Sequence, residues 1–142
     1  MKNEPLVLER TFDADVDSVW EALTDNSKMK QWYFDIAAFK PEVGFRFTFT
    51  AENKGVQFVH LCEVTVAEPG KKLAYSWKYE GQPGSSEVTF ELFPEGKKTR
   101  LKLTHTGLET FPSDTGDYKR ENFLGGWTYI LDTSLKGFLE KA

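Results

Sequence analysis

Five consecutive segments between Gly44 and Gly107 alternate apolar and polar side chains with a period of two. The segment GFRFTFT shows the pattern in its shortest form, with a phenylalanine at every second position. Such alternation is typical of antiparallel strands with one face in a core and the other in water. Between the segments lie ENKG, EPGKK, EGQPG and PEGKK, whose residues are typical of hairpin turns. The sequence therefore predicts a meander of five strands, to which the opening PLVLERTF adds a sixth.

A sheet with one apolar face needs a cover, because its rings cannot face water. The last segment, ENFLGGWTYILDTSLKGFLEKA, supplies one, since its apolar residues recur at the helical period. Two shorter helices are predicted after the first strand, the first capped by Asp15 and the second formed by NSKMKQWYF. We expect one α+β domain spanning residues 1–142, in which a curved antiparallel sheet of six or seven strands wraps around a long C-terminal helix.

Composition argues against several functional classes. The net charge of -4 gives no electrostatic basis for binding nucleic acid. No apolar run approaches the roughly 20 residues that a membrane span needs, so membrane insertion is not expected. The N-terminus lacks the basic and then apolar layout of a secretion signal, which favours a cytoplasmic protein. The single cysteine, Cys62, rules out an intrachain disulfide and a cysteine-based zinc site.

Two short motifs imitate ligand-binding loops. DADVD, from Asp13, starts like a calcium loop, but Ser18 and Thr24 stand where glycine and glutamate are needed. GKKT, from Gly96, ends like a phosphate loop, but its upstream glycine is replaced by Glu91 inside a predicted strand. We therefore expect neither a metal site nor a cofactor.

The order of these segments resembles the SRPBCC superfamily, also called START-like or Bet v allergen-like. The likeness is carried by VWEALTD, QWY, LAYSW, TRLKLTHTG and the GW before the last helix, and it spans Leu6 to Leu139. Within the superfamily, the chain is similar to the branch named after the activator of heat-shock-protein-90 ATPase. The resemblance implies a helix-grip fold that encloses a mostly apolar cavity. Members are carriers or sensors of lipids, polyketides, flavonoids and hormones, cyclases or hydrolases, or co-chaperone domains.

We expect the concave face of the sheet and the last helix to enclose a site for a small hydrophobic molecule. The inward positions of this site are Phe45, Phe47, Phe58, His60, Tyr75, Trp77, Phe90, Leu103, His105, Trp127 and Leu131. The same aromatic set would also make a filled core, because protein interiors are close-packed. The breadth of a curved sheet under a helix only about 10 Å wide favours some residual space.

His60, His105 and Tyr75 are the candidate polar anchors on this face. Each imidazole could orient a ligand, or it could be a buried histidine satisfied by neighbouring groups. Cys62 lies two residues from His60 on the same face, which puts their roots about 6 to 7 Å apart from the strand rise. No inward acid completes a triad, so no catalytic residue is assigned.

Gly125 and Gly126 stand near the start of the last helix, where each costs about 1 kcal/mol relative to alanine. One explanation is a hinge below the loop GLETFPSDTGDY, whose Pro112 and Gly116 suit a mobile gate. The others are close packing of bare helix backbone against the sheet, and a helix that begins only at Gly126.

These observations favour a binding protein for a lipid, polyketide or flavonoid-like molecule, acting as a carrier or stress-related sensor. A cyclase or hydrolase that uses the same cavity is the first alternative, with His105 or Tyr75 acting on a bound carbonyl compound. The second is a co-chaperone-like module that acts on a heat-shock-protein-90 type partner. The resemblance allows such a partner, but no residue of the sequence indicates one.

Overall fold

A computed structural model describes residues 5–32, 39–53, 56–81, 84–110 and 120–140 of the chain. The elements run in the order β1 (Leu6–Phe12), α1 (Val16–Thr24), α2 (Asn26–Trp32), β2 (Arg46–Asn53), β3 (Val56–Glu68), β4 (Lys72–Tyr79), β5 (Ser86–Glu95) and β6 (Lys98–Thr106). A 3₁₀ turn (Leu108–Thr110), α3 (Arg120–Tyr129), a π-helical turn (Ile130–Leu135) and α4 (Lys136–Leu139) complete the fold. The predicted α+β helix-grip architecture is confirmed, with six strands.

The six strands form one antiparallel sheet in the order β1-β6-β5-β4-β3-β2. The period-two prediction holds for the core of the sheet, where Trp77 is 4% exposed and Phe90 is 1% exposed. Lys78 is exposed, and Glu91 and Lys102 are half-exposed on the opposite face. The alternation in the sequence therefore identified the inner face correctly.

The outer face of the sheet carries a row of charges of alternating sign. Across five strands, Glu9 pairs in register with Lys102, Lys102 with Glu91, Glu91 with Lys72, and Lys72 with Glu68. Opposite charges at directly facing positions stabilise a sheet by a few tenths of a kcal/mol to about 1 kcal/mol per pair. The row therefore supports the strand registers from the solvent side.

The two short helices close one end of the sheet. Asp15 caps α1 by accepting a hydrogen bond from the Ser18 N–H over 2.8 Å, as its position in the sequence predicted. The indole of Trp32 donates to the Ala22 carbonyl over 2.8 Å and ties α2 to α1. Met29 and Trp32 are both buried, so α2 packs through the residues that its sequence indicated.

The C-terminal helix is continuous from α3 through the π-helical turn into α4. Its buried stripe repeats every four residues, at Phe123, Trp127, Leu131 and Leu135. In a straight α-helix of 3.6 residues per turn, such a stripe drifts by about 40° at each step. The π turn, in which the Lys136 N–H bonds to the Leu131 carbonyl five residues back, takes in more residues per turn and offsets part of the drift. Across the described ranges, no helix is both long enough and apolar enough to cross a bilayer.

Gly125 and Gly126 lie on the exposed side of α3. A Cβ added at either position would have nothing within 4 Å. Close packing of bare backbone against the sheet is therefore wrong as their explanation. A helix that begins at Gly126 is also wrong, because α3 begins at Arg120.

Gly107 directly follows β6, where the chain passes close to the start of β5. Its φ is +84°, and a Cβ there would lie 2.7 Å from the Ser85 carbonyl oxygen and 3.0 Å from the Ser86 Cα. The Thr110 hydroxyl donates towards the Ser85 and Gly107 carbonyls, at 2.9 and 2.7 Å. Glycine is therefore required at position 107 by both its backbone angle and its neighbours.

Candidate binding site on the concave face of the sheet

Trp77 is the centre of a cluster of rings on the concave face. Its ring centroid lies 5.6 Å from that of Phe49, 4.8 Å from His60, 5.4 Å from His105 and 5.5 Å from Trp127. Most of these contacts are edge-to-face, which is the geometry that aromatic quadrupoles favour. The cluster joins β2, β3, β4 and β6 to the C-terminal helix.

A second row of rings extends the cluster along the sheet. Phe47 meets Tyr75 at 5.0 Å, Tyr75 meets Phe90 at 6.0 Å, and Phe90 meets Trp127 at 5.9 Å between centroids. These distances are those of packed rings. The described rings of the concave face are therefore in contact with one another beneath the helix.

His105 is fully buried and connects the helix to the sheet through hydrogen bonds. The Trp127 indole donates to its Nδ1 over 3.0 Å, and its Nε2 lies 2.8 Å from the Ser86 hydroxyl. Because an indole N–H can only donate, Nδ1 must be the acceptor and Nε2 must carry the proton. The imidazole therefore donates to Ser86, whose hydroxyl donates on to the Trp77 carbonyl over 2.9 Å.

This tautomer excludes His105 as a general base for Ser86. A serine nucleophile must give its proton to the base beside it, whereas here the imidazole gives its proton to the serine. Burial also lowers the pKa of His105 to about 3, so the ring remains neutral. In this arrangement both of its nitrogens are engaged by the protein, and the group works as a structural connector.

His60 is buried beside the same cluster. Its Nδ1 lies 3.0 Å from the Phe58 carbonyl and 3.3 Å from the Phe49 carbonyl. Carbonyl oxygens only accept, so Nδ1 carries the proton and donates. Burial lowers the pKa of His60 to about 4, against the two carbonyl contacts, which favour the charged form. Both histidines of the chain are therefore neutral at physiological pH.

Cys62 does not have the environment of a reactive thiol. Its side chain is 5% exposed, and burial raises the pKa of the thiol above its ordinary value. Within the residues that the structure describes, no three histidine, cysteine, aspartate or glutamate side chains are grouped as a metal ion would need. The concave face thus presents neither an activated nucleophile nor a set of metal ligands in those ranges.

The concave face is uncharged in its described part. The buried polar residues there and at the sheet end are His60, Ser86, Thr99 and His105, with no acid, lysine or arginine among the described buried residues. The Trp77 indole donates to the Tyr79 hydroxyl over 2.9 Å. Each buried side-chain nitrogen and oxygen of the described residues has a hydrogen-bond partner. The face is therefore aromatic, neutral and internally satisfied.

A separate depression of about 380 Å³ lies mainly on the outer face of β2, β3 and β4. Its rim includes Arg46, Glu63 and Lys78, and Arg46 and Glu63 form an ion pair at 3.2 Å. It opens to solvent between charged side chains, on the opposite side of the sheet from the ring cluster. We assign no function to it.

The structure brings most of the predicted site residues together. Phe47, His60, Tyr75, Trp77, Phe90, Leu103, His105, Trp127 and Leu131 are buried on the concave side. Phe45 and Phe58 are half-buried at the margin, against Phe39 and Tyr79 respectively, with 6.2 Å between ring centroids in both pairs. Gly125 and Gly126 face solvent, and Pro112 and Gly116 lie outside the described residues.

Four residues of the cluster were not among the predicted set: Phe49, Tyr79, Ser86 and Phe123. The alternation already placed Phe49 and Tyr79 on the inner face, as the next inward positions after Phe47 and Trp77. Phe123 belongs to the apolar stripe of the last helix. Ser86 gave no signal of its own, because a serine at the start of a strand usually indicates a turn.

Comparisons with known proteins agree with this fold. The family model described as "Activator of Hsp90 ATPase homolog 1-like protein" matches residues 13–140. Protein MLL2253 from Mesorhizobium loti is 29% identical, with a TM-score of 0.79 and 98% of each chain covered. Protein CV1439 from Chromobacterium violaceum is 21% identical, with a TM-score of 0.83 and 100% of each chain covered.

A third solved structure, DynU16, is a protein of the dynemicin biosynthetic locus. It is 23% identical to this chain, with a TM-score of 0.77, and the match covers 98% of this chain and 48% of DynU16. At this identity the likeness concerns the fold alone. No curated protein matches the sequence. The family match extends over most of the chain, and the chain therefore belongs to the Activator of Hsp90 ATPase homolog 1-like family, with the SRPBCC (START-like) fold that its sequence predicted.

Proposed function

We propose that the protein, with residues 1–142 acting as one domain, binds a small uncharged hydrophobic or aromatic molecule between the concave face and the C-terminal helix. It would act as a carrier or a stress-related sensor. The observation that carries this proposal is the continuous cluster of rings, centred on Trp77 and Trp127, beneath one covering helix. Rings of this kind offer a large contact area and the edge-to-face geometry that an aromatic ligand also prefers.

The neutrality of the face supports an uncharged ligand. A carboxylate buried there would lose its water without gaining a cation, because the described buried residues include no lysine or arginine. His60 and His105 cannot supply the charge, since burial holds the pKa of each well below neutral pH. An unpaired buried charge costs several kcal/mol. A ligand with an ionised group would therefore have to keep that group outside.

Binding can be tested through tryptophan fluorescence and thermal stability. Flavonoids, fatty acids and phenylnaphthylamine, each at up to about 100 μM, should quench the fluorescence saturably and raise the melting temperature, because a ligand of the folded state stabilises it by mass action. Trp77→Ala should alter the affinity. Trp20→Phe, in the half-buried position on α1, is the matched control and should leave the affinity unchanged. If no compound of the panel quenches or stabilises, the concave face is simply a filled core.

A matched pair of ligands tests the charge preference. Methyl naphthoate and naphthoate share the same rings and differ in one ionised group, so the ester should bind at least tenfold more tightly at pH 8. Lowering the pH towards the pKa of naphthoic acid should reduce the difference in affinity between the two compounds, because the acid then becomes uncharged. Equal affinity of the two compounds at pH 8 would contradict the neutral site while leaving binding itself intact.

The family description makes a chaperone partner the second candidate. A co-chaperone-like module would act through its surface, so it should change the ATPase rate of a heat-shock-protein-90 type partner even after Trp77→Ala. The enzyme alternative has less support for His105, because both of its ring nitrogens are engaged by Trp127 and Ser86 and neither is directed at a bound carbonyl compound. A purified protein that changes the ATPase rate but binds none of the hydrophobic panel would favour the chaperone candidate.

A further inference from the structure

The two ends of the C-terminal helix are attached to the rest of the protein by different kinds of contact. The lower end, which includes Asp132, Leu135 and α4, is held by the Arg10–Asp132 ion pair, by a hydrogen bond from the Asp13 N–H to Glu140 and by the short helices. The end formed by α3 lies over the ring cluster and is linked to the sheet by a buried hydrogen bond from Trp127. The π-helical turn, Ile130–Leu135, directly follows α3, and Asp132 and Leu135 belong to it.

The lower end of the helix is attached to the rest of the protein by charged side chains. Arg10 on β1 donates to both carboxylate oxygens of Asp132, at 2.6 and 3.3 Å. Glu140 accepts the Asp13 N–H over 3.0 Å and a hydrogen bond from Lys136 over 2.7 Å. Bidentate guanidinium–carboxylate pairs fix geometry as well as adding energy. Leu135 is fully buried, and this end approaches α1 and α2.

The upper end of the helix, formed by α3, is attached to the sheet by ring contacts and by one described hydrogen bond. Phe123 and Trp127 pack on His105, with centroids 5.4 and 6.0 Å away, and Trp127 also donates to that imidazole. Gly125 and Gly126 give this end a low intrinsic helix propensity and add no side chain that touches the sheet. Phe123 and Trp127 therefore supply the described side-chain contacts that join this end to His105 on β6.

We propose that α3 is a lid that opens about the π-helical turn while the lower end of the helix stays attached, with the Trp127–His105–Ser86 hydrogen bonds as its latch. A π turn already departs from the regular α-helical bonding pattern, so bending there breaks fewer ideal bonds than bending elsewhere. Opening moves Trp127 away from Trp77 and Phe90 and exposes the centre of the ring cluster. This inference rests on the proposed function, because Trp127 lies against Trp77 and Phe90 when the lid is closed, and a ligand that binds to these two rings in its place must displace α3.

Native-state hydrogen exchange tests the lid without any ligand. Trp127→Phe keeps a ring in place and removes the indole donor, which leaves His105 Nδ1 without that bond. Loss of one buried hydrogen bond should speed exchange of the α3 amides by about tenfold. The amides of α4 and of β6 should keep their rates, and unchanged β6 rates also verify that the variant folds.

Asp132→Asn is the matched control, since it weakens the lower tether and leaves the latch intact. It should speed exchange in Lys136–Glu140 and not in α3. A uniform acceleration along the whole helix in Trp127→Phe would show that the helix opens as one unit, and no acceleration at all would show that the Trp127 hydrogen bond is not a latch. Either result would overturn the lid.

Stopped-flow binding of phenylnaphthylamine supplies the functional measurement. Trp127→Phe should raise the association rate by about the same factor as it raises α3 exchange, because both events require the same opening. Unchanged association in a variant with faster α3 exchange would contradict the lid as the route of entry. If the probe binds no variant, the proposed function fails, while the exchange experiment still decides whether α3 opens independently.

Discussion

The imidazole of His60 stacks on the ring of Phe49, with 4.3 Å between centroids and 12° between planes. The stack shields one side of the imidazole from water, and Trp77 and Tyr79 close on it from β4, each with its ring centroid 4.8 Å away. A protonated ring would lose its hydration in this position without meeting a described carboxylate. The low pKa of His60 is therefore a direct consequence of the ring packing.

Stability should depend on pH through the two histidines. The pKa of His60 is about 4 and that of His105 about 3 in the folded chain, against 6.5 for an exposed imidazole. Below pH 6.5 the unfolded chain takes up protons that the folded chain refuses, so the stability is complete above pH 6.5 and falls as the pH decreases towards 4. Each histidine contributes a slope of up to about 1.4 kcal/mol per pH unit.

Denaturant unfolding between pH 7.5 and 5 measures this slope above the range where most carboxylates titrate. The chain has only 2 histidines, so NMR titration of the imidazole resonances assigns the effect without ambiguity. An imidazole that titrates near pH 6.5 in the folded protein would contradict the burial described for it.

Gly107→Ala should destabilise the protein strongly. The new Cβ would lie 2.7 Å from the Ser85 carbonyl oxygen, on a backbone whose φ is +84°. The backbone angle costs about 1 kcal/mol or more, and the overlap adds about 1 to 3 kcal/mol. Gly96→Ala is the control, because its φ is +67° and nothing lies within 4 Å of an added Cβ. Equal losses in the two variants, measured by denaturant unfolding, would show that overlap has no part in the effect.

Gly125→Ala combined with Gly126→Ala should stabilise the protein by about 1 to 2 kcal/mol. Both residues are helical and exposed, and a methyl group added at either would meet no neighbour. The only expected effect on stability is therefore the higher helix propensity of alanine. If the pair softens the lid, the double variant should also slow association and dissociation of phenylnaphthylamine.

Gly137→Ala is the matched control for this pair. Gly137 is likewise helical with nothing within 4 Å of an added Cβ, but it lies below the π-helical turn. Gly137→Ala should stabilise the protein by about as much per substituted residue as the double variant does. It should leave the rates of phenylnaphthylamine binding unchanged. A stabilised double variant with unchanged rates would rule out the glycine pair as a hinge.

Lys102→Glu should lower stability by about 1 kcal/mol at low ionic strength. Lys102 faces Glu9 on one side and Glu91 on the other, so the substitution places three negative charges in adjacent register positions. Salt at 1 M shortens the Debye length to about 3 Å and should remove most of the loss. A loss that persists in high salt would mean that packing of the lysine stem, and not charge, is responsible.

The sequence predicted the sheet more completely than it predicted the site. Alternation fixes which residues share a face, because the side-chain period of a strand is two. It therefore placed Trp77, Phe90, His60 and His105 inside. Alternation says nothing about what a buried imidazole meets on the neighbouring strand, so the partnership of His105 with Ser86 and Trp127 depended on strand order and helix rotation, which only the fold supplies.

The glycine pair shows where helical reasoning from the sequence was incomplete. Its low propensity was evident, but the choice between packing and flexibility depended on the direction in which the residues face. That direction follows from the rotation of the helix, and the buried stripe repeats every four residues and not every 3.6. The strict spacing of Phe123, Trp127, Leu131 and Leu135 was visible in the sequence and was the available signal for a π turn.

The four-residue stripe has a consequence for changes of chain length. Removing one residue from α3, with the π turn kept, would rotate everything beyond the deletion by about 100° relative to the residues before it. Glu140 would then turn away from Asp13, although no side chain in contact with the sheet had been substituted. Insertions and deletions that a hairpin turn tolerates would here separate the two ends of one helix from their partners. The outer surface of this helix can therefore vary in composition, but its residue count is fixed by the need to satisfy both ends at once.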